Sequence, residues 1–145
     1  MPAKGGSASG GKSDSQILEK ELSYKIYGIF IKVGKEYGTF QREALYHKAL
    51  GEELSARGII FVSKPKIDIL SRRTGKKIDF FIPDLIIEDK IIVEIKSVKN
   101  ILNSYVSQLV KYLEFSKYEI GYLVNFGTLH TEIIRRIFTN DRKSL

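Results

Sequence analysis

One stretch constrains this chain more than any other: Phe81 to Ser97, reading FIPDLIIEDKIIVEIKS. It predicts two strands joined by a tight turn at Glu88-Asp89-Lys90. With the turn centred on Asp89, antiparallel pairing sets Ile87 opposite Ile91, Leu85 opposite Val93 and Asp84 opposite Glu94. Side chains alternate faces along a strand. One face therefore collects Leu85, Ile87, Ile91, Val93 and Ile95, and the other Asp84, Ile86, Ile92, Glu94 and Lys96. Directly opposite residues lie about 5 Å apart at Cβ, so two carboxylates are set against each other with one ammonium nearby. Their repulsion is offset only in part by Lys96. A hard divalent cation such as Mg²⁺, which binds carboxylate oxygens, suits this arrangement. The plainer alternative is a pair of solvent-facing charges at a hairpin end, with Lys96 as their ion-pair partner.

The residue inventory narrows the choice of metal chemistry. There are no cysteines and only two histidines, His47 and His130, so thiolate and His-rich zinc sites are excluded and any metal must rest on carboxylates. The 145 residues suit one domain with a sizeable core. No apolar run approaches the roughly 18 residues of a membrane span, and no signal-peptide core is present, so no membrane partner and a cytoplasmic location are expected. A net charge of +7 suits a polyanion partner, although many small proteins are as basic without one.

Residues 1–14, MPAKGGSASGGKSD, are Gly/Ser-rich and aperiodic, and are expected to be a disordered tail; residues 15–145 form the domain. From Ser15 to Tyr37 apolar residues recur at three- and four-residue spacing, predicting a helix capped by Asp14 or Ser15 and ended by Gly38. A second helix is expected from Thr39 or Phe40 to Arg57, with Thr39 as its cap. On its helical wheel Glu43 projects between Leu50 and Leu54. Two readings fit: a functional carboxylate set in an apolar stripe, or a first-turn residue that escapes to solvent. Strands follow at Ile59–Val62, Lys66–Leu70 and Lys77–Phe81, the last two joined by a hairpin tip around Thr74-Gly75. Arg72, Arg73, Lys76 and Lys77 crowd that tip, either as phosphate contacts or as charges that discourage edge-to-edge pairing. Ile101–Lys117 predicts a helix capped by Asn100, with Leu102, Val106, Leu109 and Leu113 as its core stripe. Gln108 and Tyr112, four residues apart, present together on its flank. Glu119–Phe126 reads as a buried strand, parallel to the one carrying Glu94, and Thr131–Phe138 as a last short helix with Arg135 and Arg136. The order predicts an α/β sandwich around a mixed sheet. Tyr105 and Tyr118 read as exposed aromatics that hint at a contact surface.

Pro83-Asp84 followed by Glu94-Ile95-Lys96 resembles the PD-(D/E)XK signature of restriction-endonuclease-like nucleases. Gly38-Thr-Phe-Gln-Arg-Glu43-Ala-Leu-Tyr46 resembles the G-x-x-x-x-E-x-x-Y element of the GxxExxY family within that superfamily. The resemblance continues through Gly58-Ile59, Asp84 to Ile87, Ile92 to Val98, Gln108 to Leu113 and Gly121 to Gly127, and closes at Arg135-Arg136. It implies a restriction-endonuclease-like αβββαβ core, a central mixed sheet flanked by helices, and a nuclease site using Mg²⁺ or Mn²⁺. It further implies that Asp84, Glu94 and the Ile95 carbonyl hold the metal, that Lys96 completes the E-x-K pair, that Glu43 is the helical acidic residue, and that Gln108 and Tyr112 form a Q-x-x-x-Y motif. Where the family often carries a histidine late in its first helix, this chain has Gly34. The implied substrate is DNA ahead of RNA, cut with little sequence selectivity. Lys64, Arg72, Arg73, Lys76, Lys77, Lys99, Lys111, Arg135 and Arg136 are then candidates for backbone phosphates. A homodimer that cuts two strands, and a catalytically silent nucleic-acid- or partner-binding module on the same fold, stand beside the enzyme reading.

Overall fold

A computed structural model describes residues 18–143; the expected tail, the caps at Asp14 and Ser15, and the first residues of the first helix lie outside them. The elements are α1 (Lys20–Tyr37), α2 (Glu43–Ala56), β1 (Phe61–Ser63), β2 (Ile67–Leu70), β3 (Lys77–Phe81), β4 (Leu85–Ile87), β5 (Ile91–Lys96), α3 (Asn103–Glu114), β6 (Ile120–Asn125) and β7 (Glu132–Ile137), followed by a short 3-10 turn at Asn140–Arg142. Five strands form one mixed sheet in the order β1-β4-β5-β6-β7. Only β5 and β6 run parallel, joined across α3, and the other neighbours are antiparallel. This is the mixed α/β architecture that the order of elements predicts, and it is consistent with the restriction-endonuclease-like core that the resemblance implies. Among the described residues no helix is long and apolar enough to cross a membrane.

The period-two pattern of the central hairpin divides the core in two. Leu85, Ile87, Ile91, Val93 and Ile95 pack with Ile26, Ile29 and Phe30 of α1 and Tyr46, Leu50 and Leu54 of α2. Ile86 and Ile92 point the other way, to Leu109 and Leu113 of α3. The register is the expected one: Leu85 opposite Val93, Ile86 opposite Ile92, Ile87 opposite Ile91. Glu88 and Asp89 turn the chain with φ of 53° and 51°, the left-handed pair that a tight hairpin of this hand requires.

Several elements depart from expectation. The segment from Thr131 to Phe138 is an edge strand, β7, rather than a helix. Ile133 packs on the α1/α2 core and Ile134 on the α3 core, so consecutive residues serve opposite faces, as only a strand allows. Strands β2 and β3 pair with each other but form a separate two-stranded sheet, not part of the central one. The second helix begins at Glu43, because Phe40 has φ 65° and cannot be helical. Thr39 does not cap it; its hydroxyl donates to the Thr128 carbonyl. Helix α3 starts at Asn103 with no side-chain cap, so Asn100 has no such role and Leu102 is exposed instead of in the core stripe. Tyr105 and Tyr118 are half-buried against the α3 core, not free surface aromatics. At Gly34 a Cβ would meet the hydroxyl of Thr131, the residue before β7, so a side chain such as histidine there requires Thr131 to turn aside.

Candidate active site

Strand β4 ends its ladder at Leu85, one residue after Asp84, while β5 continues to Lys96. The backbone of β5 beyond Val93 therefore lacks β4 as a pairing neighbour on that side. The Asp84 side chain takes up the vacant position: its Oδ2 accepts the Ile95 N–H at 2.7 Å. In return the Asp84 N–H donates to Glu94 Oε1 at 3.1 Å. The Asp84 carbonyl accepts the Lys64 N–H at 2.9 Å, which ties the residue to the end of β1 as well. The two carboxylates are thus locked by backbone donors into mutual proximity. The N–H and C=O of one strand residue point to the same side, so the Ile95 carbonyl faces the same corner.

Electrostatics at this corner are unusual for a carboxylate. Burial first, then the neighbouring Asp84 charge, push Glu94 up to about 8, with Lys96 opposing in part. Without a cation, the site favours the protonated form of Glu94. Burial, then the negative charges of Glu94 and Asp84, also raise the Tyr112 phenol. That places Tyr112 in the field of both acids. Its ring stacks on Phe81 at 4.0 Å and 6°, which fixes it beside the strand leading to Asp84. Gln108, one helical turn earlier, is exposed. The Lys96 ammonium sits 4.3 Å from the Tyr105 ring centre, held by a cation–π contact on the same sheet face as Glu94.

Glu43 is exposed at the first position of α2. Its helix is nevertheless aimed at the corner. The Gln41 carbonyl accepts the Ser97 hydroxyl, just past Lys96. One turn after Glu43, His47 contacts the Ser63 hydroxyl and lies in the field of Asp84 and Lys64. Burial lowers the His47 pKa, Asp84 opposes that, and Lys64 adds to it. The motif residues around Glu43 are structural: Gly38 turns the chain at φ 78°, and the buried Tyr46 hydroxyl donates to the Gly38 carbonyl while accepting the Gln41 N–H. Sequence reasoning passed over His47, although its i+4 spacing from Glu43 was the available signal. It also passed over Asn125, wholly buried, which accepts the N–H groups of Val98 and Gly127 and donates to the Val98 carbonyl and Glu132, holding the exit of β5 in place.

The basic residues separate into two kinds. Arg135 is built into the fold, donating to the Tyr122 hydroxyl, the Leu18 carbonyl and the Ser23 hydroxyl, so it is a packing residue rather than a phosphate contact. Arg73, Lys76, Lys99 and Arg136 are exposed. Arg72 and Lys111 both pair with Glu114, Lys77 pairs with Asp68, and Lys64 lies 3.7 Å from Asp84.

An acid pair at the end of two strands, with a lysine two residues on, is the layout of a nuclease signature. The sequence profile of the PD-(D/E)XK nuclease superfamily matches residues 20–137. The chain belongs to the PD-(D/E)XK nuclease superfamily. Among solved structures it is similar to an alkaline exonuclease from Laribacter hongkongensis, with 14% identity and a TM-score of 0.43; the match covers 63% of this chain and 53% of that one. No curated protein matches the sequence.

Nucleases of this superfamily generally use divalent metal ions, and the residues present fit one. Among the described residues no three acidic or histidine side chains converge to hold a metal, so Glu43 does not join Asp84 and Glu94 in a three-ligand cage. Two carboxylates with a nearby carbonyl are still the donor set for a hydrated hard ion, because Mg²⁺ keeps several waters and takes only one or two protein carboxylates. The raised Glu94 pKa, caused by burial and then by the neighbouring Asp84 charge, marks the place where positive charge is wanted.

Proposed function

We propose that this PD-(D/E)XK superfamily member is a divalent-metal-dependent nuclease that hydrolyses phosphodiester bonds, in DNA ahead of RNA, and that it falls in the GxxExxY group. The observation that carries the reading is the reciprocal bonding of Asp84 and Glu94, which holds two acids together at a cost in repulsion that a structural role does not require. Asp84, Glu94 and the Ile95 carbonyl would hold Mg²⁺ or Mn²⁺. Bound there, the ion would supply a water of lowered pKa and neutralise charge on the phosphoryl oxygens. Lys96, steadied by Tyr105, donates hydrogen bonds to the attacking water or to a non-bridging oxygen. Glu43, on the rim, orients water rather than binding directly. Tyr112 and Gln108 contact the backbone on the α3 side. Arg72, Arg73, Lys76, Lys77, Lys99, Lys111 and Arg136 supply affinity without sequence information. Contacts of that kind suit weak sequence selectivity. With one site per chain, cutting both strands of a duplex takes two copies or two visits. The proposed location is the cytoplasm.

The GxxExxY assignment is supported by the joint work of Gly38 and Tyr46, which fasten the loop that delivers Glu43. A second reading, a catalytically silent nucleic-acid-binding module, is favoured by the exposure of Glu43 and the absence of a third ligand among the described residues. Plasmid nicking in Mg²⁺ separates the two. The nuclease reading expects cleavage by the wild type that Asp84→Ala and Lys96→Ala both abolish. Salt-dependent binding with no turnover, or cleavage indifferent to both substitutions, overturns it.

A further inference from the structure

We propose that the groove between the β2–β3 hairpin and the C-terminal end of α3 binds a single-stranded segment of polynucleotide, one base stacked on Phe115 and the flanking phosphates held by Arg72 and Lys111. The substrate would then be a strand end, flap or gap rather than a closed duplex.

The groove has a volume of about 600 Å³, enough for one nucleotide. Its cationic lining, Lys66, Arg72, Lys117 and Lys143, outnumbers the acids Asp68 and Glu114. Phe115 lines it with 37% of its surface open to solvent, and it belongs to neither core cluster. An aromatic ring left out of the core and facing a basic groove has a face to offer. The Arg72 guanidinium lies 5.1 Å from the ring centre and the Lys111 ammonium 5.7 Å. Glu114 pairs with both cations, at 3.5 Å and 3.4 Å, and so holds charges from two different elements around one ring. Both paired cations keep exposed surface that a phosphate can reach.

Ring and cations together select for an unpaired base. In a duplex both faces of an interior base are covered by its neighbours, and phosphate contacts alone suffice for binding. A base without a stacked neighbour can cover an aromatic ring, with cations gripping the backbone beside it. Along α3 the groove lies about one helical turn from a residue of the acid corner. Phe115 follows Tyr112 by three residues, about 4.5 Å along the helix axis and within about 60° around it. Tyr112 is the residue that lies in the field of Glu94 and Asp84. A strand that extends from Phe115 past Tyr112 would reach the acid pair.

The directional part of this inference rests on the nuclease reading; the binding part does not. The test is fluorescence anisotropy of the full chain in EDTA with labelled oligo-dT, oligo-rU and a blunt DNA duplex. Phe115→Ala is expected to weaken single-strand binding about tenfold, the scale of one lost stacking contact, and to leave duplex binding within about twofold. Phe115→Trp keeps a ring and is expected to keep single-strand affinity, which decides the matter should the alanine variant fold poorly. Arg72→Gln is expected to reduce the salt dependence of single-strand binding by about one phosphate contact. Tyr24→Ala, an 82% exposed aromatic on α1 across the sheet, is the unchanged control. Tighter binding of dT or of rU assigns the sugar. Wild type that binds neither single strand, or a Phe115→Ala loss equal on duplex and single strand, overturns the proposal. Strand binding without any Asp84-dependent cleavage overturns the nuclease reading alone.

Discussion

The two hairpins of this molecule are built from similar material and put to opposite uses. The β4–β5 hairpin turns on two left-handed residues, is paired along its outer edges by β1 and β6, and has every residue of β4 buried. The β2–β3 hairpin has a longer tip, in which the Ser71 hydroxyl accepts the Arg73 and Thr74 N–H groups, and a register shift between Ile69 and Leu70. No further strand pairs with it among the described residues, and the first four residues of β3 are exposed. It touches the body through Ile67, Ile69 and Phe81 against the α3 core. Alternation alone therefore does not make a strand rigid; a second packed face and paired edges do. Rigidity is where chemistry needs it, since a reacting group must be held within a fraction of an ångström. The looser arm carries a cluster of cations and the exposed Phe80 ring, where adaptable contact with a long polyanion is an advantage.

This contrast can be broken by experiment, and the largest effects belong to the rigid hairpin. Asp84→Ala or Lys96→Ala is expected to lower metal-dependent nicking by about 100-fold or more, the scale of losing one transition-state contact. Arg73→Ala with Lys76→Ala at the loose tip is expected to cost only binding, read as a shallower salt dependence. A tip variant as dead as Asp84→Ala would erase the division between the two hairpins.

A smaller effect concerns stability against pH. Glu94 titrates at about 8 in the fold against 4.5 for an ordinary glutamate, so between those values the native state holds a proton that the unfolded chain has released. Its contribution to stability is therefore full below about 4.5 and is lost progressively as pH rises to about 8. Urea midpoints of the metal-free protein should fall across that window, and Glu94→Gln should flatten the slope. Mg²⁺ competes for the same oxygens and should flatten it too. An unchanged slope in Glu94→Gln would mean that the acid pair is solvated and unstrained.

The smallest effect separates the neighbouring arginines of β7. Arg135→Ala removes hydrogen bonds to Tyr122, Leu18 and Ser23 and is expected to cost about 1–2 kcal/mol of stability. Arg136→Ala, at an exposed position, is expected to leave the melting temperature unchanged and to weaken polyanion binding slightly. Equal melting temperatures for the two variants would contradict the structural role of Arg135.

The central hairpin was readable residue by residue. Alternation in DLIIEDKIIVEIK permits one register that buries both isoleucine sets, and that register brings Asp84 to Glu94 with no further information. The local pattern of TEIIRRIF was ambiguous: three isoleucines and two arginines suit a short helix nearly as well as an edge strand. The open edge of β6 decided it, because unpaired backbone groups there are satisfied by a strand and not by a helix. Thr39 has the residue type of a cap, but hydrogen bonds of Gln41 with Tyr46 and Ser97 fix the loop around it and the Thr39 hydroxyl donates to Thr128.

By itself, the amino-acid order determined which side chains share a face, where the acids and Lys96 fall, and that any cation must be held by oxygen. Those properties follow from strand periodicity and residue chemistry, which are local. Only the tertiary structure decided that β2 and β3 leave the central sheet, that Arg135 is half-buried in hydrogen bonds while Arg136 meets solvent, that His47 lies in the field of Asp84, and that Phe115 is left facing a basic groove. Each of those outcomes depends on which distant segments compete for the same surface, and that competition is settled by packing across the whole chain.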